Sequence, residues 1–146
     1  MMIVSVRKAV IEDMLSLYLW RNDEQVRLIS FNKASIDYDT HAHWFSASLK
    51  NSNRYIYIVL ANEKSVGYVR FEVDKQVAKV SIVVDPSQMG KGYGTQGLLL
   101  AIQTFKKELP DCTELNAAIF PDNMGSKKIF NKAGFILSHC VYKLGE

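Results

Sequence analysis

Three glycines, Gly90, Gly92 and Gly94, stand at alternate positions between an apolar run and an amphipathic one. Glycine enters positive φ without steric cost and lets another group approach the backbone closely. The preceding run Val80, Ile82, Val83, Val84 is short, β-branched and closed by Asp85-Pro86, which predicts a strand buried on both faces. Leu98, Leu99, Ile102 and Phe105 follow at intervals of three and four, the stripe of a helix. A glycine loop at the start of a helix leaves backbone N–H groups unpaired and aimed together, at the positive end of the helix dipole. Such a place binds an anion. The predicted chemistry is a pyrophosphate cradle.

Neither common phosphate motif accounts for it. A Walker loop ends in Gly-Lys-Ser/Thr, whereas Gly92 is followed by Tyr93-Gly94-Thr95. The letters Gly92-Tyr93-Gly94-Thr95-Gln96-Gly97 fit a dinucleotide fingerprint, but they come late, and no βαβ repeat follows to form a second half. Other residues could handle protons. Strand alternation over residues 67–73 sets Tyr68, Arg70 and Glu72 on one face, which must open to a cleft, close an ion pair or lie at a solvated edge. Glu72 is a candidate base, and Ser81 on the next strand could orient a water. His41 titrates near neutral pH and is a further candidate. Asn123 and Ser126, three apart at a helix start, form a natural cap pair.

With these residues in view, the chain resembles a family. Asp85-Pro86 followed by Met89-Gly90-Lys91-Gly92-Tyr93-Gly94 is similar to the acetyl-CoA loop of the GNAT superfamily of N-acyltransferases, usually Arg/Gln-x-x-Gly-x-Gly/Ala. Met89 takes the first position, and Gln88 lies one residue early. Downstream, the stretch from Asn123 through Ser126 and Phe130 to Gly134-Phe135 resembles the family's Asn-x-x-Ser helix ending in Gly-Phe.

The resemblance implies acetyl-CoA as cosubstrate and assigns roles. Ile82, Val83 and Val84 would offer main chain to the pantetheine arm and the thioester carbonyl. Met89, Gly90, Lys91, Gly92, Tyr93, Gly94 and Thr95 would hold the pyrophosphate. Asn123 and Ser126 would lie beside the cofactor, with Lys127, Lys128 and Lys132 toward the 3′-phosphate or on a solvated face. Phe130 replaces the family's tyrosine, whose hydroxyl protonates the leaving thiolate. Tyr142 and Tyr93 are substitutes by residue type alone.

The first half also carries a resemblance. Trp20-Arg21-Asn22, Val26-Arg27, Ile36, His41 and Trp44 are similar to a branch acetylating nucleotide-linked amino-deoxy-sugars, as in pseudaminic acid biosynthesis, and to ribosomal-protein N-terminal acetyltransferases. This implies an acceptor site of Arg21, Asn22, His41 and Trp44, faced by Arg70 from the sheet. Arg21 would grip a phosphate, His41 would hydrogen-bond it and Trp44 would stack on a base or sugar. A helix-end charge, a helix-cap histidine and a core tryptophan are the plainer alternatives. A protein N-terminus as acceptor, or a CoA-binding module without catalysis, are the competing functions.

The elements that must position these residues can be read in order. Ile3 to Val6 is a first strand, and helices follow from Ile11, from Glu24 to Ile29, and after an Asp39 or Thr40 cap. Strands are expected at Tyr55–Leu60, Ser65–Val73 and Val77–Val84, joined by hairpins. The glycine-loop helix, a strand Glu114–Phe120, a helix Asn123–Ala133 and a last strand Phe135–Tyr142 complete it. The order β-α-α-β-β-β-α-β-α-β predicts an α+β, GNAT-like fold with a mixed, mostly antiparallel sheet and helices on both faces. A length of 146 residues predicts one domain, 1–146. A net charge of +3 suits an anionic small ligand and not nucleic acid. No apolar run nears the ~18 residues of a membrane span. Cys112 and Cys140 show no metal or disulfide spacing, so a reducing cytoplasm is expected, with no metal and a homodimer allowed.

Overall fold

The computed structural model describes residues 2–31 and 33–144. Five strands form one sheet in chain order: β1 (Val4–Lys8), β2 (Arg54–Ala61), β3 (Lys64–Asp74), β4 (Val77–Val84) and β5 (Glu114–Asn116). The first four are antiparallel, and β5 runs parallel to β4. The helices are α1 (Met14–Asn22), α2 (Glu24–Leu28), α3 (Tyr38–Lys50), α4 (Tyr93–Glu108) and α5 (Met124–Lys132).

Alternation along the strands feeds two cores. Tyr57 and Val59 of β2 and Phe71 of β3 pack under α4 with Leu98 and Phe105. Ile56 and Ile58 of β2 and Tyr68 of β3 pack on the other face, with Leu17 and Trp20 of α1 and Phe45 of α3. A strand covered on both faces shows no polar alternation, which is why β2 reads as a continuous apolar run. Gly97 lets α4 sit on the sheet, because a Cβ there would lie 2.6 Å from Val59 Cγ1.

Arg7 on β1 clamps the start of the helical layer. Its two terminal nitrogens donate to the two carboxylate oxygens of Asp13 at 2.8 Å each, and the Val10 N–H donates to the same group. Burial works to raise the Asp13 pKa, but the Arg7 bonds, the Val10 N–H and the Arg7 charge together outweigh it and hold the group below its ordinary value. A lowered carboxylate stabilises the fold fully above the ordinary aspartate range and loses that contribution as pH falls through its folded value. Asp13→Asn should therefore cost about 1–3 kcal/mol near neutrality. The difference from the parent should close in acid, as urea unfolding at neutral and low pH would measure.

Three expectations need correction. The helix α3 starts at Tyr38 with Asp37 at its cap, ahead of Asp39 and Thr40. β5 stops at Asn116, short of Phe120. No strand forms over residues 135–142. Adjacent apolar pairs such as Ile136-Leu137 and Val141-Tyr142 break the alternation that one buried face needs, and a three-residue β5 offers little ladder to pair with. Tyr142, set on that strand by the sequence reading, is 94% exposed.

Candidate active site

Where β5 ends, β4 continues for five residues paired on its β3 side only, and the gap on its other side is the centre of the site. The register pairs β4 with β5 only at Val77, Ala78 and Lys79. Two hydrogen bonds fix which main-chain groups face the gap. The Asp85 N–H donates to Val66 on β3, and the Gln76 carbonyl accepts from Thr113 on the β5 side. Antiparallel alternation through an unbroken register then turns the odd residues of β4 to β3 and aims Val80, Ile82 and Val84 into the gap.

The glycine loop lies at the end of this strand. Gly90 and Gly92 have φ of +80° and +84°, in the left-handed region that glycine reaches without strain. Gly92 is the N-cap of α4, and among the described residues no side chain bonds to the amides of that helix's first turn. The contrast with α5 is direct, since Asn123 Oδ1 accepts there from the Ser126 N–H at 3.0 Å. The start of α4 is thus open to an external anion.

A cleft of about 350 Å³ joins these parts. Ile82, Val83, Val84 and the loop residues Met89, Gly90, Gly92, Tyr93, Gly94 and Thr95 line it on one side. Asn123, Ser126, Lys128 and Lys132 line it from α5. Lys91 turns aside, its Nζ donating to Gln88 Oε1 at 3.0 Å, and does not line the cleft. The Tyr93 ring is buried in the core, so only its main chain is free to serve the cradle.

A second cleft of about 290 Å³ opens beside the first. The two share Ile82 and Val83 of β4, Asn123 and Ser126 at the start of α5, and Val26, Ile29 and Ser30 in and after α2. Arg21, Tyr68, Arg70 and Ser81 line the second cleft from α1 and the sheet, and Phe130 lines it from α5. Phe31 meets Phe120 edge-on at 5.8 Å and Lys33 Nζ lies 3.4 Å above the same ring, which closes the outer wall.

Not every expected acceptor residue reaches this cleft. His41 is fully buried. Its Nε2 lies 3.0 Å from the Met14 carbonyl, which can only accept, so Nε2 carries the proton. In the neutral ring Nδ1 then accepts from Arg21, 3.5 Å away. Burial, with a contribution from Arg21, lowers the His41 pKa despite the Met14 bond, so the ring is neutral at physiological pH. It stands beside Arg21 and lines neither cleft. Trp44 likewise backs the cleft, with its ring 4.7 Å from the Arg21 guanidinium and 5.3 Å from that of Arg70. Asn22 is a loop anchor, its Oδ1 accepting from the Ile36 N–H at 2.9 Å.

Among the candidates for proton transfer, Ser81 lines the second cleft, while Glu72 and Tyr142 line neither. Glu72 Oε1 is engaged by Arg70 at 3.5 Å and Arg54 at 4.0 Å. Tyr68 does line the second cleft. Its strand position was legible, but its hydroxyl's surroundings depend on α1, far away in sequence.

Residues 4–136 match the family model described as an Acetyltransferase (GNAT) domain. No curated protein gives a significant match. Among solved structures, an aminoglycoside acetyltransferase in complex with coenzyme A has TM-score 0.79 and 20% identity, covering 95% of this chain and 87% of that one. The spermidine N-acetyltransferase of Vibrio cholerae, in complex with CoA and spermine, has TM-score 0.82 and 14% identity, covering 93% and 82%. A ribosomal L7/L12 alpha-N-protein acetyltransferase in complex with CoA has TM-score 0.80 and 14% identity, covering 94% and 82%. At these identities the likeness is one of fold.

Proposed function

Because the chain belongs to the GNAT acetyltransferase family, we propose that it moves the acetyl group of acetyl-CoA to the amine of a nucleotide-linked amino-deoxy-sugar. The protein is an acetyl-CoA-dependent N-acetyltransferase. In this reading the first cleft holds the cosubstrate. The uncapped start of α4 and the glycine amides meet the pyrophosphate. The main chain of Ile82 and Val84 meets the pantetheine arm, and Lys128 and Lys132 stand toward the 3′-phosphate. Amide donors in the β4 gap are placed to stabilise oxygen charge as the amine attacks the thioester. The whole works as one acyltransferase domain of the cytoplasm.

One observation carries the acceptor. Two guanidiniums, Arg21 and Arg70, line the second cleft, and no Asp or Glu among the described residues lines it. Arg21 has no carboxylate partner among the described residues. Burial, chiefly, lowers its pKa; Tyr68 opposes this and Arg70 adds to it. Arg70 is paired with Glu72, which does not line the cleft, so the cation left without an acid is Arg21, and this matches an acceptor that brings its own negative charge. The cleft does not suit a polycation. The test is thiol release from acetyl-CoA with a UDP-linked amino-sugar, a dipeptide with a free N-terminus, spermidine and kanamycin. Saturable turnover of the nucleotide sugar, with little on the polycations, is expected. Turnover of the dipeptide alone would make the protein an N-terminal acetyltransferase.

Phe130 tests how the thiolate leaves. It packs edge-on against Phe135 at 5.0 Å and lines the second cleft without a hydroxyl. Phe130→Tyr should fold normally and raise the turnover rate by less than about tenfold, since a proton donor contributes little where another already serves. A gain of several orders of magnitude in the same assay would show the native protein to lack catalytic competence.

A further inference from the structure

Tyr68 is 3% exposed, and its ring stacks on Trp20 at 6.5 Å with 16° between planes. Its hydroxyl has no hydrogen-bond partner among the described residues. No side-chain oxygen sealed from solvent is left unpartnered among them, so this hydroxyl opens onto the cleft that Tyr68 lines. A phenol buried this deeply normally finds a partner. Beside it stand the Arg21 guanidinium and the acceptor cleft, whose occupant can supply the missing partner.

Its position is close to the chemistry. The register sets Tyr68 directly opposite Val83, which lines both clefts, and the next pair on the same face is Arg70 opposite Ser81. The opposite wall carries Phe130, which has no proton to give. Among the described residues no Asp, Glu or His lines the acceptor cleft, and Tyr68 and Ser81 are the hydroxyls that the sheet presents there.

We propose that Tyr68 is a catalytic residue whose hydroxyl carries the proton of the acetyl-transfer step. As the amine nitrogen bonds to the thioester carbon and the carbon–sulfur bond breaks, the phenol oxygen takes the proton leaving nitrogen. The phenol's own proton passes to the departing thiolate. The products are the amide and CoA thiol, and the tyrosine returns to its starting state. The inference rests on acetyl transfer and is independent of the acceptor's identity.

Tyr68→Phe removes one oxygen, keeps the ring on Trp20 and breaks no intramolecular hydrogen bond. Thiol release should be followed with the UDP-linked amino-sugar and with hydroxylamine, a small acceptor that is largely uncharged at neutral pH and needs no acceptor subsite. The turnover rate should fall about a hundredfold with both, while CoA affinity by calorimetry and the melting temperature stay at the parent's values. A rate within about threefold of the parent overturns the proposal, as does a loss of rate that tracks a fall in melting temperature. If the parent turns over hydroxylamine but not the nucleotide sugar, the acceptor reading falls and the hydroxylamine rates still decide Tyr68.

Discussion

Gly92→Asp should abolish CoA binding and leave the fold standing. Gly92 caps α4 with φ of +84°, and a Cβ built there meets nothing nearer than Gln96 Nε2 at 3.8 Å. The protein therefore has room for the side chain. Aspartate is among the residues that tolerate the left-handed region, so the backbone strain is of order 1–2 kcal/mol. A carboxylate at the positive end of α4 also interacts favourably with the dipole, which offsets part of that strain. The same negative charge stands where the pyrophosphate must sit, against amides that no side chain now occupies. Affinity for CoA should fall by more than about a hundredfold, or about 2.8 kcal/mol, in calorimetric titration. A folded Gly92→Asp variant that binds CoA as the parent does would remove the cradle from this loop.

That prediction was accessible from the sequence because its causes are local. Glycine at alternate positions, a β-branched run before it and a helical stripe after it identify strand, turn and helix from neighbours in the chain. The direction of the β4 main chain adds one step, since it follows from parity once a single ladder bond is known. What the sequence could not tell depends on contacts between distant residues. His41 occupies a position where a ligand contact and a buried orienting role look alike in sequence; its burial and its bond to Met14, 27 positions away, cannot be read there. Glu72 reads as a base by strand parity, yet Arg54 from β2 and Arg70 from its own strand engage it. The expected last strand failed for the same reason, because a strand needs a ladder and the partner offered is only Glu114–Asn116. Tyr68 carried a signal of position but none of its missing partner.

Arg21→Ala should raise the acceptor KM and leave CoA affinity alone. Arg21 lines the second cleft and not the first, so the cosubstrate side does not depend on it. Its guanidinium is fixed on three counts: half-buried on α1, laid against Trp44 at 4.7 Å and donating to His41 Nδ1 at 3.5 Å. A fork held this way loses little entropy when it grips a phosphate. Removing a hydrogen bond to a charged group costs on the order of 1.5–3 kcal/mol, about tenfold or more in kcat/KM. The loss should appear with the nucleotide-linked sugar and vanish with an uncharged amine, because only the former brings the anion. His41→Ala should follow Arg21→Ala in direction with a smaller effect on KM, since it frees the guanidinium without deleting it, and should also lower the melting temperature by opening a fully buried site. If both variants lost equally on charged and uncharged acceptors, Arg21 would be holding the helices together, and Arg70 alone among the described residues would be left in this cleft to receive the negative charge assigned to the acceptor.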